Sequence, residues 1–212
     1  MPRGPLETDP RFWVLSEALA SYASDVDDPL LLDEAYLQAA VSVVLRAQPT
    51  LEVLLIKRAL SERDPWSGHM ALPGGRRDPD DDDLRMTAVR ETAEETGVDL
   101  DRHGRSLGRL DIVAPSSPRL PKLTISPFVF GVGPEVRAHV ASHEIEQIYW
   151  VSVDHLRDPT THGTVDIPLP GGTRAFPCYE VAGEIVWGLT HRILTQFLEV
   201  YPDLELNRIR ED

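Results

Sequence analysis

The chain has 212 residues, 42% of them hydrophobic and 26% charged, enough to bury one sizeable core and predicting a single principal domain. A formal net charge of −14 argues against a nucleic-acid polymer as ligand, which a basic face would meet, and the lone Cys178 excludes an internal disulfide or a cysteine-rich metal site. No apolar run approaches the roughly 20 residues needed to cross a membrane, and Met1-Pro2-Arg3-Gly4-Pro5 lacks the basic-then-apolar order of a secretory signal, so the expected location is cytoplasmic.

In chain order, Arg11 to Tyr22 predicts an amphipathic helix with Phe12, Leu15, Leu19 and Tyr22 on one side, followed by an acidic, leucine-rich stretch from Asp25 to Glu34. Ala39 to Leu45 and Leu51 to Lys57 read as two strands joined by a turn. After Pro73-Gly74-Gly75 comes an aspartate-rich loop, Arg76 to Asp83, whose acidic end suits a helix N-terminus. Leu84, Ala88, Val89 and Thr92 then recur at spacings of three and four, and Gly97 stands where a left-handed residue would end that helix.

Beyond the helix, Ser106 to Val113, Leu123 to Val132 and Ile145 to Val151 are strand candidates, and Val153 to Arg157 a helical turn. Val165 to Ile167 and Ala175 to Val181 suggest a hairpin across Pro168-Leu169-Pro170-Gly171-Gly172. Ile185 to Tyr201 predicts a closing helix packed through Leu189, Ile193, Leu194, Phe197 and Leu198. Strands interspersed with helices suit an α/β/α sandwich around a mixed sheet. The expected organisation is an N-terminal helical extension over 1–36, a catalytic domain over 37–205 and a tail over 206–212.

The chemistry lies in Arg90-Glu91-Thr92-Ala93-Glu94-Glu95-Thr96-Gly97-Val98. Helical spacing brings Glu91, Glu94 and Glu95 to neighbouring points of one surface, where like charges repel unless a cation sits among them. Two readings follow: a solvated acidic face, or hard oxygen ligands for a divalent cation of the kind that serves phosphate chemistry.

The flanking residues favour the second. This segment resembles the signature of the Nudix hydrolases, G-x5-E-x7-R-E-U-x-E-E-x-G-U with U aliphatic, matching at Arg90, Glu91, Glu94, Glu95, Gly97 and Val98. Thr92 replaces the aliphatic residue. Counting back from Arg90 places Asp82 at the position of the early glutamate and leaves Gly75 one residue early, as though the loop were one longer.

Further segments are similar to the coenzyme A pyrophosphatases of that superfamily. Leu54-Leu55-Ile56-Lys57-Arg58-Ala59, Gly68 and Leu72-Pro73-Gly74-Gly75 follow L-L-T-x-R-S-A-x3-R-x3-G-x3-F-P-G-G, with Ile56 for threonine, Arg63 one place early and Leu72 for phenylalanine. Ser126-Pro127-Phe128-Val129, Glu144-Ile145, Tyr149-Trp150-Val151 and Ile185-Val186-Trp187-Gly188-Leu189-Thr190 extend the likeness toward the C-terminus.

The resemblance implies a Nudix-type fold in which Glu91, Glu94 and Glu95, with a carbonyl at Gly75, hold Mg²⁺ or Mn²⁺ while Arg90 orients a glutamate. It implies a further acid from a later segment as general base, with Glu144 the choice, Glu146 the reserve and His143 a third candidate. Lys57, Arg58, Arg63, Gly74 and Gly75 would contact the substrate, and Trp66 would stack on adenine or cover the core. The implied partner is a small nucleotide diphosphate, coenzyme A foremost, with ADP-ribose or a dinucleotide as the alternative and a non-catalytic nucleotide-binding regulator as the reading from another class. A homodimer is the expectation from base rates.

Overall fold

The computed structural model describes residues 9–22, 35–62, 66–115, 122–169 and 172–201. Its elements are α1 (Pro10–Tyr22), β1 (Leu37–Ala47), β2 (Leu51–Arg58), β3 (Met70–Ala71), β4 (Gly74–Arg76), α2 (Leu84–Thr96), α3 (Leu100–His103), β5 (Gly104–Arg109), β6 (Leu123–Val132), β7 (Ile145–Ser152), α4 (Val153–Arg157), β8 (His162–Leu169), β9 (Gly172–Val181), β10 (Glu184–Trp187) and α5 (Gly188–Val200).

Strand β1 is the axis of the molecule. Its run of buried Ala39, Ala40 and Val43 to Leu45 is the signature of a strand covered on both faces. It pairs in parallel with β6 through ten residues, from Leu37 beside Leu123 to Arg46 beside Val132, and antiparallel with β2 across a tight hairpin. Around this pair the path β3-β2-β1-β6-β5 forms one mixed sheet, with β4 also on β1 and β7 also on β2, while β8, β9 and β10 form a separate antiparallel sheet.

Each face of the large sheet carries its own core. On one, Phe12, Leu15 and Leu19 of α1 join Ile193, Leu194 and Phe197 of α5 over Val43, Leu45, Val53 and Leu55. On the other, Ala88 and Val89 of α2 and Leu100 of α3 cover Ala40, Val44, Leu54 and Phe130. This is the expected α/β/α sandwich. Helix α1 is integral to it: a Cβ at Gly131 would lie 2.9 Å from the Phe12 ring and one at Gly108 2.7 Å from Leu19 Cβ, so both glycines make room for the helix.

Two expectations are corrected. The closing helix does not begin at Ile185, because Glu184 to Trp187 form β10, paired with Cys178 to Val181. Ala182 and Gly183, with φ of 51° and 83°, make the two-residue turn whose twist suits a hairpin, and Gly188 at φ 67° then redirects the chain into α5. Of the Ser106 to Val113 candidate, only residues through Arg109 are strand, with Val113 returning as an isolated bridge to Ile125. The stretch Asp25 to Glu34 and the tail 206–212 lie outside the described residues. No helix among the described residues is long and apolar enough to cross a membrane.

Candidate active site

Helix α2 is fixed at both ends by its own sequence. Asp83 caps it, its side chain accepting from Met86 N at 2.8 Å, and Gly97 at φ 69° closes it with a hydrogen bond to the Ala93 carbonyl. A Cβ at Gly97 would meet the His139 ring at 2.2 Å, and the carbonyls of Thr96 and Glu95 accept from His139 N and Ala141 N. The helix end therefore holds the segment that leads on to Glu144. Midway, buried Thr92 stands where an aliphatic residue was expected, because its hydroxyl meets Ser42 Oγ of β1 at 2.8 Å and the Ala88 carbonyl at 2.7 Å.

The three signature glutamates occupy three environments. Glu95 is buried, with 4% of its surface exposed, accepting from Gly74 N at 2.9 Å and lying 3.8 Å from the Arg58 guanidinium. Burial pushes its carboxyl up to about 8, against the opposing pull of the Gly74 N–H and Arg58, with Glu91 and Glu144 adding negative charge. Glu91 is raised above the usual carboxylate range mainly by desolvation, countered by Arg90, with Glu94 and Glu144 again contributing repulsion. Glu94 turns outward, exposed, and meets Arg90 Nη1 at 3.3 Å, the same nitrogen that meets Glu91 at 3.0 Å. Among the described residues no three acidic, histidine or cysteine side chains already converge at ligand distance.

The early acid of the signature is corrected from Asp82 to Asp81. Arg90 Nε and Nη2 donate to the two Asp81 oxygens, each at 3.0 Å, and Asp81 also accepts from Asp78 N and the Thr87 hydroxyl. The paired guanidinium holds the Asp81 carboxyl well below its ordinary range. Asp82 is exposed. Counted from Gly75, Asp81 stands at the signature's own spacing, so the extra residue falls between Asp81 and Arg90 rather than before the acid. Nothing in the residue count alone separated these two placements.

The glycine turn is shaped by close approach. A Cβ on Gly75 would lie 2.4 Å from Glu91 Oε1, and one on Gly74, at φ 153°, 2.3 Å from the Ala40 carbonyl. Strand pairing aligns Gly74 and Gly75 with Val41 and Ala40, placing the turn directly against the glutamates.

The other expected residues divide between the two sides of β2. Arg58 faces Glu95, and Ala59 N donates to the Glu144 carbonyl at 2.7 Å, which brings exposed Glu144 beside Glu91 and Glu95. Lys57, one residue earlier, points to the opposite face and pairs with Glu184 at 2.8 Å and Glu146 at 3.2 Å, so neither it nor the reserve base Glu146 joins the carboxylate cluster. His143 is exposed, Trp66 is half-buried, and Arg63 lies outside the described residues. Buried Cys178 has its thiol raised by desolvation, in keeping with a packing role.

The donor set fits a hard divalent cation: Glu91 and Glu95 carry desolvated carboxylates on a glycine-lined face, where a cation would offset the cost of burying their charge. Glu91 and Glu95, with Glu144 and Glu94 at the margin, are the side chains able to hold it.

The NUDIX domain family model matches residues 36–169. Human mitochondrial coenzyme A diphosphatase NUDT8 is 32% identical over 168 residues, covering 75% of this chain and 66% of that protein. An uncharacterized protein of Schizosaccharomyces pombe is 36% identical over 118 residues, and the match spans 36% of that protein's length. The crystal structure of a MutT/nudix family protein from Enterococcus faecalis shares the fold, with a TM-score of 0.51 at 17% identity over 100% of this chain and 76% of that one. With the glutamates, glycines and Arg90 clamp in the signature arrangement, the chain belongs to the Nudix hydrolase family.

Proposed function

We propose that the chain is a metal-dependent pyrophosphohydrolase of nucleoside diphosphate derivatives, and that its substrate is coenzyme A or an acyl-coenzyme A. The observation that carries the reaction class is the placing of Glu91 and Glu95 beside the Gly74-Gly75 turn and Arg58, with the charge of Glu144 acting on both. The substrate rests on the likeness to human and mouse NUDT8, each 32% identical, and on the spacing of Arg58, Gly68 and Pro73-Gly74-Gly75.

Glu91 and Glu95, with Glu94, would hold a Mg²⁺ or Mn²⁺, whose charge would be supplied to the diphosphate oxygens. Arg90 is locked by Asp81 and orients Glu91. Arg58 contributes positive charge at the edge of the cluster. Exposed Glu144 takes the proton of the attacking water as its oxygen bonds to phosphorus. The bridging P–O bond breaks and the leaving phosphate departs as an anion. Coenzyme A gives phosphopantetheine and adenosine 3′,5′-bisphosphate, and an acyl-coenzyme A gives the corresponding acyl-phosphopantetheine with the same bisphosphate.

The test is mass spectrometry of the purified protein with Mg²⁺ or Mn²⁺ against coenzyme A, acyl-coenzyme A, ADP-ribose, NADH and nucleoside triphosphates. Formation of the two named products supports the assignment, whereas turnover confined to ADP-ribose overturns it. Glu144→Gln should lower kcat by about a hundredfold without changing the fold, the scale of lost general-base catalysis.

A further inference from the structure

Outside the carboxylate cluster, the richest unused chemistry is a group of rings on the second sheet. Trp187 ends β10, and its ring lies 5.0 Å from His69, tilted by 58°, and 5.4 Å from Phe176, tilted by 52°. Arg174 stands over the Phe176 ring at 5.3 Å. Trp187, Phe176 and His69 are all half-buried, so the group keeps an open side. Next to Trp187, Gly188 has nothing within 4 Å in the direction its side chain would take.

Two connections tie this group to the reacting centre. The His69 carbonyl accepts from Arg58 N at 3.0 Å, and the Arg58 guanidinium is 3.8 Å from Glu95. The backbone at His69 thus lies one strand across from the residue whose guanidinium faces Glu95. The second connection is Lys57, whose bonds to Glu184 and Glu146 fasten β10 to β2 and β7 and so hold Trp187 in place. Lys57 becomes a positioning residue for the rings rather than a phosphate contact.

We propose that Trp187, with His69 and Phe176, forms a stacking shelf for the purine base of the nucleoside diphosphate whose phosphates lie at Glu91 and Glu95. A planar, weakly polar base suits a half-buried aromatic surface, because stacking accepts its π-face while its edges stay hydrated. Trp187 and Phe176 of the shelf lie beyond residues 36–169, on strands β10 and β9, whereas His69 comes from within the matched family domain. The inference rests on the hydrolase reading for the position of the phosphates.

The test compares, by calorimetry on the full chain with Mg²⁺, AMP and ribose 5-phosphate, which differ only in the base. Wild type should bind AMP at least about tenfold more tightly, and Trp187→Ala should remove about five- to a hundredfold of AMP affinity while leaving ribose 5-phosphate unchanged. Trp187→Phe should retain most of the preference. Should the alanine variant not fold, the phenylalanine variant still decides: AMP should quench tryptophan emission in wild type, and W187F should lose that quench. Equal binding of AMP and ribose 5-phosphate by wild type, or equal quenching in W187F, overturns the shelf. Because the readout is binding of a monophosphate, absence of diphosphate hydrolysis would sink the hydrolase reading separately.

Discussion

Replacing Glu95 by glutamine separates the stability of this site from its chemistry. The glutamate is nearly fully buried, and that burial pushes its carboxyl up to about 8 from the ordinary 4.5. Between those values the folded chain holds a proton that the unfolded chain has released, so stability is full below about pH 4.5 and falls as pH rises through about 8. At about 1.4 kcal/mol per unit, the loss amounts to roughly 3 kcal/mol between pH 5.5 and 7.5. Glutamine keeps the shape, can still accept from Gly74 N, and carries no charge to desolvate.

Metal-free E95Q should therefore gain on wild type by about 3 kcal/mol over that interval, which for a domain of this size is roughly 6–12 °C in melting temperature. Thermal unfolding in a chelator at the two pH values reads the effect directly. Addition of Mg²⁺ at pH 7.5 should then raise the wild-type midpoint more than that of E95Q, while hydrolysis is lost in the variant. A difference between wild type and E95Q that stays constant with pH would refute the argument that buried charge at residue 95 strains the fold.

Asp81→Asn should cost about 3–5 kcal/mol in chemical unfolding, because it strips a buried partner from Arg90, whereas Asp82→Asn should stay within about 0.5 kcal/mol; equal effects would return the early acid to Asp82. Acid should erase the Asp81 contribution only as pH falls below about 4, since a depressed carboxyl stabilises the fold above its unfolded value. Gly75→Ala, whose Cβ would sit 2.4 Å from Glu91 Oε1, should lower kcat at least about tenfold by displacing that side chain, consistent with the sensitivity of catalysis to small misplacement, and unchanged kinetics would mean Glu91 is not held there for the reaction. Thr92→Val alone should cost about 1 kcal/mol by removing the hydroxyl that donates to Ser42 Oγ, which keeps its own bond to the Ala88 carbonyl, and adding Ser42→Ala should recover part of it; a strictly additive double mutant would show that the hydroxyls do not act as a pair.

Much of this site could be read from the sequence, for reasons the structure makes explicit. The catalytic helix announces itself through Asp83, Gly97 and the apolar stripe because capping and periodicity are local rules, satisfied within the helix's own turns. What misled were features set by partners far along the chain. Spacing alone could not show whether Asp81 or Asp82 meets Arg90, since they are neighbours nine and eight residues before it and only the path from Gly75 selects between them. Thr92 looks like a defect until Ser42, fifty residues away, supplies its hydrogen bond. Strand β10 was hidden because Ile185-Val186-Trp187 can end a hairpin or begin a helix, and the pairing with Cys178 to Val181 decides.

Lys57 and Arg58 show where a usable signal was passed over. The resemblance implies substrate contact for both, yet adjacent residues on a strand face opposite ways. With Arg58 at Glu95, alternation alone sends Lys57 to the other side, where an ammonium needs a different partner. The two carboxylates it finds there join β2 to β10, and β10 ends on Trp187. The same strand thus brings one cation to Glu95 and pairs its neighbour with the carboxylates of β7 and β10. A Lys57→Met substitution should accordingly leave kcat near wild type and raise KM for base-bearing substrates several-fold, measured by steady-state kinetics. A fall in kcat at constant KM would instead place Lys57 in the chemistry.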